Sequence, residues 1–297
     1  MNPLNLFPEI IIGTAQFGMR YGVTGDAKVA SDSELEDILD LARFHGISGI
    51  DTAQEYGNAK ERLGDFDLAC FKIVSKINMP TSGSGLRHFD VRSPLVLSLK
   101  KLNVPSIDTL LVHNAHGLKE PVLHEALKKL RSLKDDGLVK NLGVSLYTPD
   151  VLRSARILEE IDVVQAPYNA FDQRIAEPNI LRLCARAGVE ISVRSIFLQG
   201  TLLSYNSGLP SFFDTWQKQF CLWDEWLKKN SISALEGSLN QVSKMLQHGA
   251  SSFVVGVRSA NELREILSVY SKANAKLCFD GSSKDPKLIT PYMWPNS

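Results

Sequence analysis

Short apolar runs alternate with amphipathic stretches along nearly the whole chain, and this alternation limits its fold more than any other feature of the sequence. A short apolar run bounded by turn residues reads as a strand covered on both faces, and an amphipathic helix after each one returns the chain to lay down a parallel neighbour. Eight such runs are present: EIIIGTA (9–15), ISGIDTA (47–53), KIVSKI (72–77), DTLLVHN (108–114), KNLGVSL (140–146), DVVQAPYN (162–169), EISVRSIF (190–197) and SFVVGV (252–257).

The stretches between them carry helix punctuation. Ser31 with Glu34 forms a capping-box pattern, Leu35, Ile38, Leu39 and Ala42 share a face, and Gly46 stops the helix. Pro121 suits a first turn, Leu123, Ala126, Leu127 and Leu130 form a stripe, and Gly137 ends it. Thr148-Pro149 and Ser259/Glu262 predict two more helix starts, and Gly188 another end. Eight strand-helix units without a linker-like shift in composition predict one α/β domain over residues 1–297, a closed (β/α)8 barrel; an open doubly wound sheet remains the alternative, because strand order cannot be read from one sequence. Residues 198–232 read as an insertion after the seventh strand, with a helix around Trp216 to Lys229. The tail beyond Lys272, punctuated by Gly281, Pro286, Pro291 and Pro295, shows no period. Both segments are placed to cover an active site, since barrel function lives on the loops that follow the strands.

Charge narrows the partners. The 33 basic side chains balance 33 acidic ones, which removes the field that would draw the chain to nucleic acid or anionic lipid and leaves a small molecule as the expected partner. No apolar run is long enough to span a membrane, and MNPLNLFPEI lacks the basic start and apolar stretch of a leader, so a cytoplasmic monomer or weak homo-oligomer is expected. Cys70, Cys184, Cys221 and Cys278 stand far apart with no metal-ligand spacing, which predicts structural roles, no disulfide and no metal site.

In a barrel, polar residues at the C-terminal ends of strands are the candidates for chemistry. Asp51, Lys76 and His113 close the second, third and fourth runs, and Tyr56 follows in the loop after Asp51. Each has a plainer reading: a turn cap, a packed ring, a satisfied core histidine. Lys76 resists it most, because a lysine is costly to bury unpaired. Adjacent strands would make all four neighbours.

The blocks GTAQFG (13–18), DTAQEYGNAKERLG (51–64), IVSKI (73–77), LLVHN (110–114), GVS (143–145), VQAPYN (164–169), RSIFLQGTLL (194–203) and VVGVRSANELREIL (254–267) resemble, in order, the signature blocks of the aldo/keto reductase superfamily. The resemblance implies a single TIM barrel that binds NADPH, with NADH possible, and reduces an aldehyde, ketone or sugar-like carbonyl. The chain has no GxGxxG after a strand, so a dinucleotide would have to be held by barrel loops.

The resemblance also implies that Asp51, Tyr56, Lys76 and His113 form the catalytic tetrad. Tyr56 would be the general acid, Lys76 would lower its pKa, Asp51 would keep Lys76 charged, and neutral His113 would orient the carbonyl. A lysine ammonium about 4 Å from the phenol, at an effective dielectric near 20, would favour tyrosinate by roughly 4 kcal/mol, an upper value. Ser145 and Gln165 match positions that bond the nicotinamide carboxamide, and Gly13, Thr14 and Ala15 the loop near its ribose. Arg194 and Ser195 open the seventh-strand block, Leu198, Gln199, Gly200 and Leu202 follow the pyrophosphate, and Gly256, Arg258, Ser259 and Glu262 fall at the adenosine end.

Several positions depart from the pattern. Arg194 replaces a stacking tyrosine common in the family, Lys60 stands where a glutamate is usual, and Ile266, Val257 and Glu262 replace residues that commonly grip adenine or the 2′-phosphate, leaving Arg258 to meet that phosphate. The eight residues before the first strand look too short for the hairpin that often closes the barrel bottom. The aromatic cluster Phe212, Phe213, Trp216, Phe220, Trp223 and Trp226, like the tail residues Tyr292, Met293 and Trp294, reads as packing or as a substrate wall. Two rival functions remain: a non-catalytic nicotinamide-binding redox sensor, and a Schiff-base aldolase using Lys76 as a deprotonated amine.

Overall fold

A computed structural model describes residue 7, residues 9–23 and residues 28–295. Eight parallel strands close in sequence order, β1 (Ile10–Gly13), β2 (Gly49–Asp51), β3 (Lys72–Ile77), β4 (Ile107–Val112), β5 (Val139–Ser145), β6 (Val163–Pro167), β7 (Glu190–Arg194) and β8 (Ser252–Gly256). Closure runs through β1, where Gly13 lies beside Asp51 on one side and Gly256 on the other. The barrel is therefore the observed solution and the open sheet is not.

The helices that cover it include α1 (Asp32–Phe44), α2 (Ala59–Leu63), α3 (Arg92–Leu102), α4 (Glu120–Asp135), α5 (Pro178–Ala187), α6 (Gln217–Asn230), α7 (Ala234–Gln247) and α8 (Ala260–Tyr270). The capping box at Ser31/Glu34 forms as read, and Ser233/Glu236 makes a second before α7. Gly188 ends α5 at φ 71°, a conformation that costs a glycine little. Pro149 starts only a 3₁₀ turn over Pro149–Arg153, followed by a single helical turn at Ala155–Leu158, so the covering element between β5 and β6 is shorter than its start signal suggested. Cys184 is buried on α5, as its apolar face required.

Two apolar clusters form. The larger joins the barrel strands to the inner faces of α1, α3, α4, α5, α7 and α8. In the second, the post-β7 insertion (Phe213, Phe220, Trp223) packs against the tail (Phe279, Leu288, Ile289, Trp294) and against Phe171 after β6. Most of the aromatic concentration is therefore packing, with Trp294 among it, while Tyr292 and Met293 stay exposed. The expectation about the barrel bottom falls mainly on residues 1–6 and 8, outside the described residues; Phe7, just before β1, packs against Tyr270 with ring centroids 6.0 Å apart.

Two glycines hold the turn after β2 against the turn after β1. A side chain at Gly18 would overlap the Tyr56 carbonyl oxygen, and one at Gly57, itself at φ 55°, would overlap the Gly18 carbonyl. Gly18→Ala is expected to cost about 1–3 kcal/mol through this overlap, measured by urea denaturation. An unchanged unfolding midpoint would show that the two turns can part freely.

Candidate active site

The strand ends converge as a parallel barrel requires. Asp51 is the last residue of β2, Lys76 the penultimate residue of β3, and His113 follows β4 directly, its N–H bonding the Ile77 carbonyl at 2.8 Å. Lys76 is 1% exposed and Asp51 3%, so the ammonium depends on the carboxylate: Nζ donates to Asp51 Oδ1 and lies 3.4 Å from both the Thr52 carbonyl and the Tyr56 hydroxyl. Gln165 Nε2 takes the other carboxylate oxygen at 2.8 Å. The Tyr56 and His113 rings meet edge to face at 6.3 Å. All four residues of the expected tetrad are thus brought together.

The electrostatics differ from the simple lysine-phenol expectation. Burial pushes the Tyr56 phenol well above its ordinary value, Asp51 adds to the rise, and the Arg194 guanidinium opposes both. The Asp51 carboxylate raises the phenol although Lys76 pairs with it, and Arg194, at the end of β7, is the cation that works against the rise. Burial likewise pulls the Lys76 ammonium down, with Asp51 holding it up. His113 is lowered to about 3 by burial, Lys76 and Arg194, so its imidazole is neutral at ordinary pH.

Glu55 is a neighbour that the residue pattern did not single out. Its Oε2 lies 3.1 Å from His113 Nδ1, and its other oxygen accepts from the Asn78 amide. A neutral imidazole has one N–H, and this contact assigns it to Nδ1, leaving the lone pair on Nε2. Glu55 precedes Tyr56 in the chain, but nothing local to the sequence tells how far it lies from a residue on β4.

Beside the tetrad lies a cavity of about 510 Å³, within the range of small-molecule sites. Gly13, Thr14, Ala15, Asp51, Tyr56, Arg194, Ser195, Gln199, Gly200, Gly256, Arg258 and Glu262 line it, joined by Gln16, Tyr21, Glu265 and Ile266. Ser145 and Gln165 sit in register on β5 and β6 just beneath, both buried, and Gln165 Oε1 has no hydrogen-bond partner among the described residues. Leu198 and Leu202 point instead into the second apolar cluster, and Ser259 caps α8, accepting from the Glu262 N–H at 3.3 Å. Val257 is likewise core. The wall at Ser195 to Gly200 is bent out of regular structure, with positive φ at Ser195, Leu198, Gln199 and Gly200.

Arg194 does not stand free for stacking. It donates to the Leu146 carbonyl at 3.0 Å and Ser195 Oγ at 3.2 Å, and lies 4.5 Å over the Tyr147 ring. Tyr147 and His116 both contact the exposed tail residue Tyr292, with ring centroids 4.6 and 4.9 Å away. At the cavity wall formed by Arg258 and Glu262, Glu262 accepts from the Arg258 backbone N–H, from its Nε at 3.1 Å and from its Nη2 at 2.7 Å.

Comparison with known proteins agrees with this fold. The model of the aldo/keto reductase family matches residues 9–276, and the chain belongs to that family. It is 32% identical over 167 residues to D-arabinose 1-dehydrogenase of Saccharomyces cerevisiae, a match covering 51% of this chain and 47% of the yeast protein. It is 29% identical over 190 residues to the NADH-specific methylglyoxal reductase of Escherichia coli, covering 57% of each. The chain thus spans about half the length of these relatives. Among solved structures, a putative aldo-keto reductase from Pseudomonas aeruginosa superposes with TM-score 0.66 at 25% identity, covering 89% of this chain and 90% of that one. An aldo-keto reductase from Bacillus halodurans reaches TM-score 0.68 at 18% identity, covering 93% and 94%, a likeness of fold.

Lys76→Met leaves the Asp51 carboxylate buried without its cation and is expected to cost about 3–5 kcal/mol in urea denaturation. Adding Asp51→Leu is expected to recover part of that loss. Strictly additive losses would mean that the two side chains are not energetically coupled.

Proposed function

We propose that the protein reduces small polar aldehydes or ketones, sugar-like carbonyls among them, at the expense of a nicotinamide dinucleotide. The observation that carries this reading is the Tyr56 hydroxyl 3.4 Å from a buried, Asp51-paired Lys76 at the edge of a cavity large enough for a ligand. The residues present fit such a cofactor. Gly13 and Gly256 keep the strand ends open, since a side chain at Gly256 would run into Gln16, and the orphaned Gln165 oxygen offers an acceptor to a carboxamide N–H. When bound, the dinucleotide supplies the hydride. Gln165 and Ser145 would hold the nicotinamide end, Gln199 and Gly200 the phosphates, and Arg258 with Glu262 the adenosine ribose.

Tyr56 gives its hydroxyl proton to the oxygen of the reduced carbonyl, and solvent restores it. The raised phenol value keeps the group protonated at neutral pH, hence loaded as a donor, while Lys76 and Arg194 face the tyrosinate it leaves. Neutral His113 positions the substrate oxygen. With Nδ1 on Glu55, its Nε2 accepts from a substrate hydroxyl; donation to a carbonyl from that nitrogen requires the Glu55 contact to open. The Lys76 amine held against Asp51 favours this reading over a Schiff-base role, which needs a free amine.

The adenosine end favours NADH over the NADPH that the family resemblance implied. Glu262 occupies Arg258 along several donors and Glu265 adds a second carboxylate to the wall, so a 2′-phosphate would meet negative charge where a ribose 2′-hydroxyl would find an acceptor. The NADH-specific methylglyoxal reductase of Escherichia coli, to which the chain is similar, points the same way.

Tyr56→Phe is expected to lower kcat by about 10²–10⁴ while cofactor still quenches protein fluorescence. Near wild-type turnover would remove Tyr56 from the acid role, and cofactor binding without steady-state turnover by the wild type would favour the redox-sensor alternative. Glu262→Gln is expected to tighten NADPH about tenfold relative to NADH, in fluorescence titrations with each. An unchanged ratio would dissociate Glu262 from cofactor choice.

A further inference from the structure

Lys60 is a buried lysine that the proposed reaction does not use. It lies in α2 and is 3% exposed, and its Nζ donates to Ser98 Oγ on α3 at 2.9 Å. Ser98 in turn donates to the Pro94 carbonyl at 2.9 Å. Among the described residues no carboxylate pairs with Lys60: the adjacent Glu61 is held by Lys101 at 2.6 Å. A buried ammonium without a counter-ion is costly, and the side chain avoids that cost by giving up its proton. Burial, with Lys76 and Lys101 as like charges and only Glu61 opposing them, lowers Lys60 to about 7.

Lys60 borders a cavity. A space of about 450 Å³ opens between α2 and α3, separate from the one beside the tetrad, and its wall includes Gln54, Lys60, Ser93, Pro94 and Leu97. Lys76 shows the contrast: it pairs with the Asp51 carboxylate, whereas Lys60 among the described residues has a hydroxyl partner, no anion, and open volume next to it.

We propose that Lys60 is a covalent capture site for small aldehydes, forming a reversible imine in the cavity between α2 and α3. The Nζ lone pair attacks the carbonyl carbon to give a carbinolamine; loss of its hydroxyl with a proton as one water molecule leaves the C=N bond, and addition of water reverses the step. No electrons are exchanged. The mixed wall suits a short aliphatic or hydroxylated aldehyde, with Pro94 and Leu97 against its carbons and Gln54 and Ser93 near polar atoms. Ala53 and Gly57 also border the cavity, so an adduct there touches the turn that carries Tyr56. The site does not depend on the reductase reading, because it needs neither cofactor nor tetrad.

The test uses the intact wild-type protein without cofactor. It is treated with propanal and cyanoborohydride from pH 6 to 10, and the alkylated lysines are located by peptide mass spectrometry. At pH 7 about half of Lys60 is neutral, against roughly one in 2,500 of an ordinary lysine. The expected result is labelling of Lys60 at least tenfold faster than any other lysine at pH 7, with a midpoint near 7 and an advantage that disappears by pH 10. Labelling of Lys60 no faster than that of exposed lysines, or only after denaturation, overturns the proposal. Preferential labelling of Lys76 overturns it too and revives the Schiff-base reading of that residue. A Lys60→Met protein, checked by circular dichroism, is expected to lose the neutral-pH adduct; an undiminished adduct count overturns the assignment to Lys60.

Discussion

The buried contact between Lys76 and Asp51 is the constraint around which the strand ends are arranged. Neither charge can stand alone at 1% and 3% exposure, so β2 and β3 must deliver them to the same place. Gln165 from β6 completes the carboxylate and ties the far side of the barrel to the same pair. Closing the barrel is what allows a residue 114 positions away in the chain to make that bond. Around that pair, the Asp51 carboxylate raises the phenol of Tyr56 and the Arg194 guanidinium from β7 opposes the rise.

This explains which parts of the site could be read in the sequence. Strands, caps and the four tetrad positions are local signals: an apolar run ending in Asp51 or Lys76, a serine three residues before a glutamate, a glycine after the last apolar position. Their placement follows once the barrel closes. The Glu55–His113 contact and the Arg194–Tyr147–His116–Tyr292 cluster join side chains from different loops, and no spacing encodes them. Leu198 and Leu202 were legible as part of a block but not as inward-facing residues, because that depends on the positive φ angles which turn the segment between Ser195 and Gly200. Pro149 gave a correct start signal, but the segment after it continues only as a 3₁₀ turn and one helical turn.

The insertion and the tail solve a problem the barrel creates. Loops that reach out from strand ends expose apolar surface unless something covers it. Here each covers the other: Phe213 meets Trp294 at 4.8 Å, Phe279 meets Trp223 at 5.3 Å, and the Trp216 indole N–H donates to Asp285 at 2.8 Å. The tail then passes the strand-end loops, where Tyr292 joins Tyr147 and His116. Aromatics that could have read as a substrate wall are mostly spent on this mutual cover, which leaves Tyr292 as the exposed ring beside the loops after β4 and β5.

The two buried lysines show how similar side chains are driven to opposite chemistry by their partners. Lys76 has a carboxylate, a carbonyl and a phenol around its ammonium, and the carboxylate supports its charge. Lys60 has a serine hydroxyl, and two other lysines raise the cost of keeping a proton. A protonated Lys60 would be a cation inside the protein without a carboxylate against it among the described residues; deprotonation removes that cost and yields a nucleophile in the same step. A reactive amine there would follow from packing a cation without a counter-charge, whereas Lys76 has the Asp51 carboxylate opposite it.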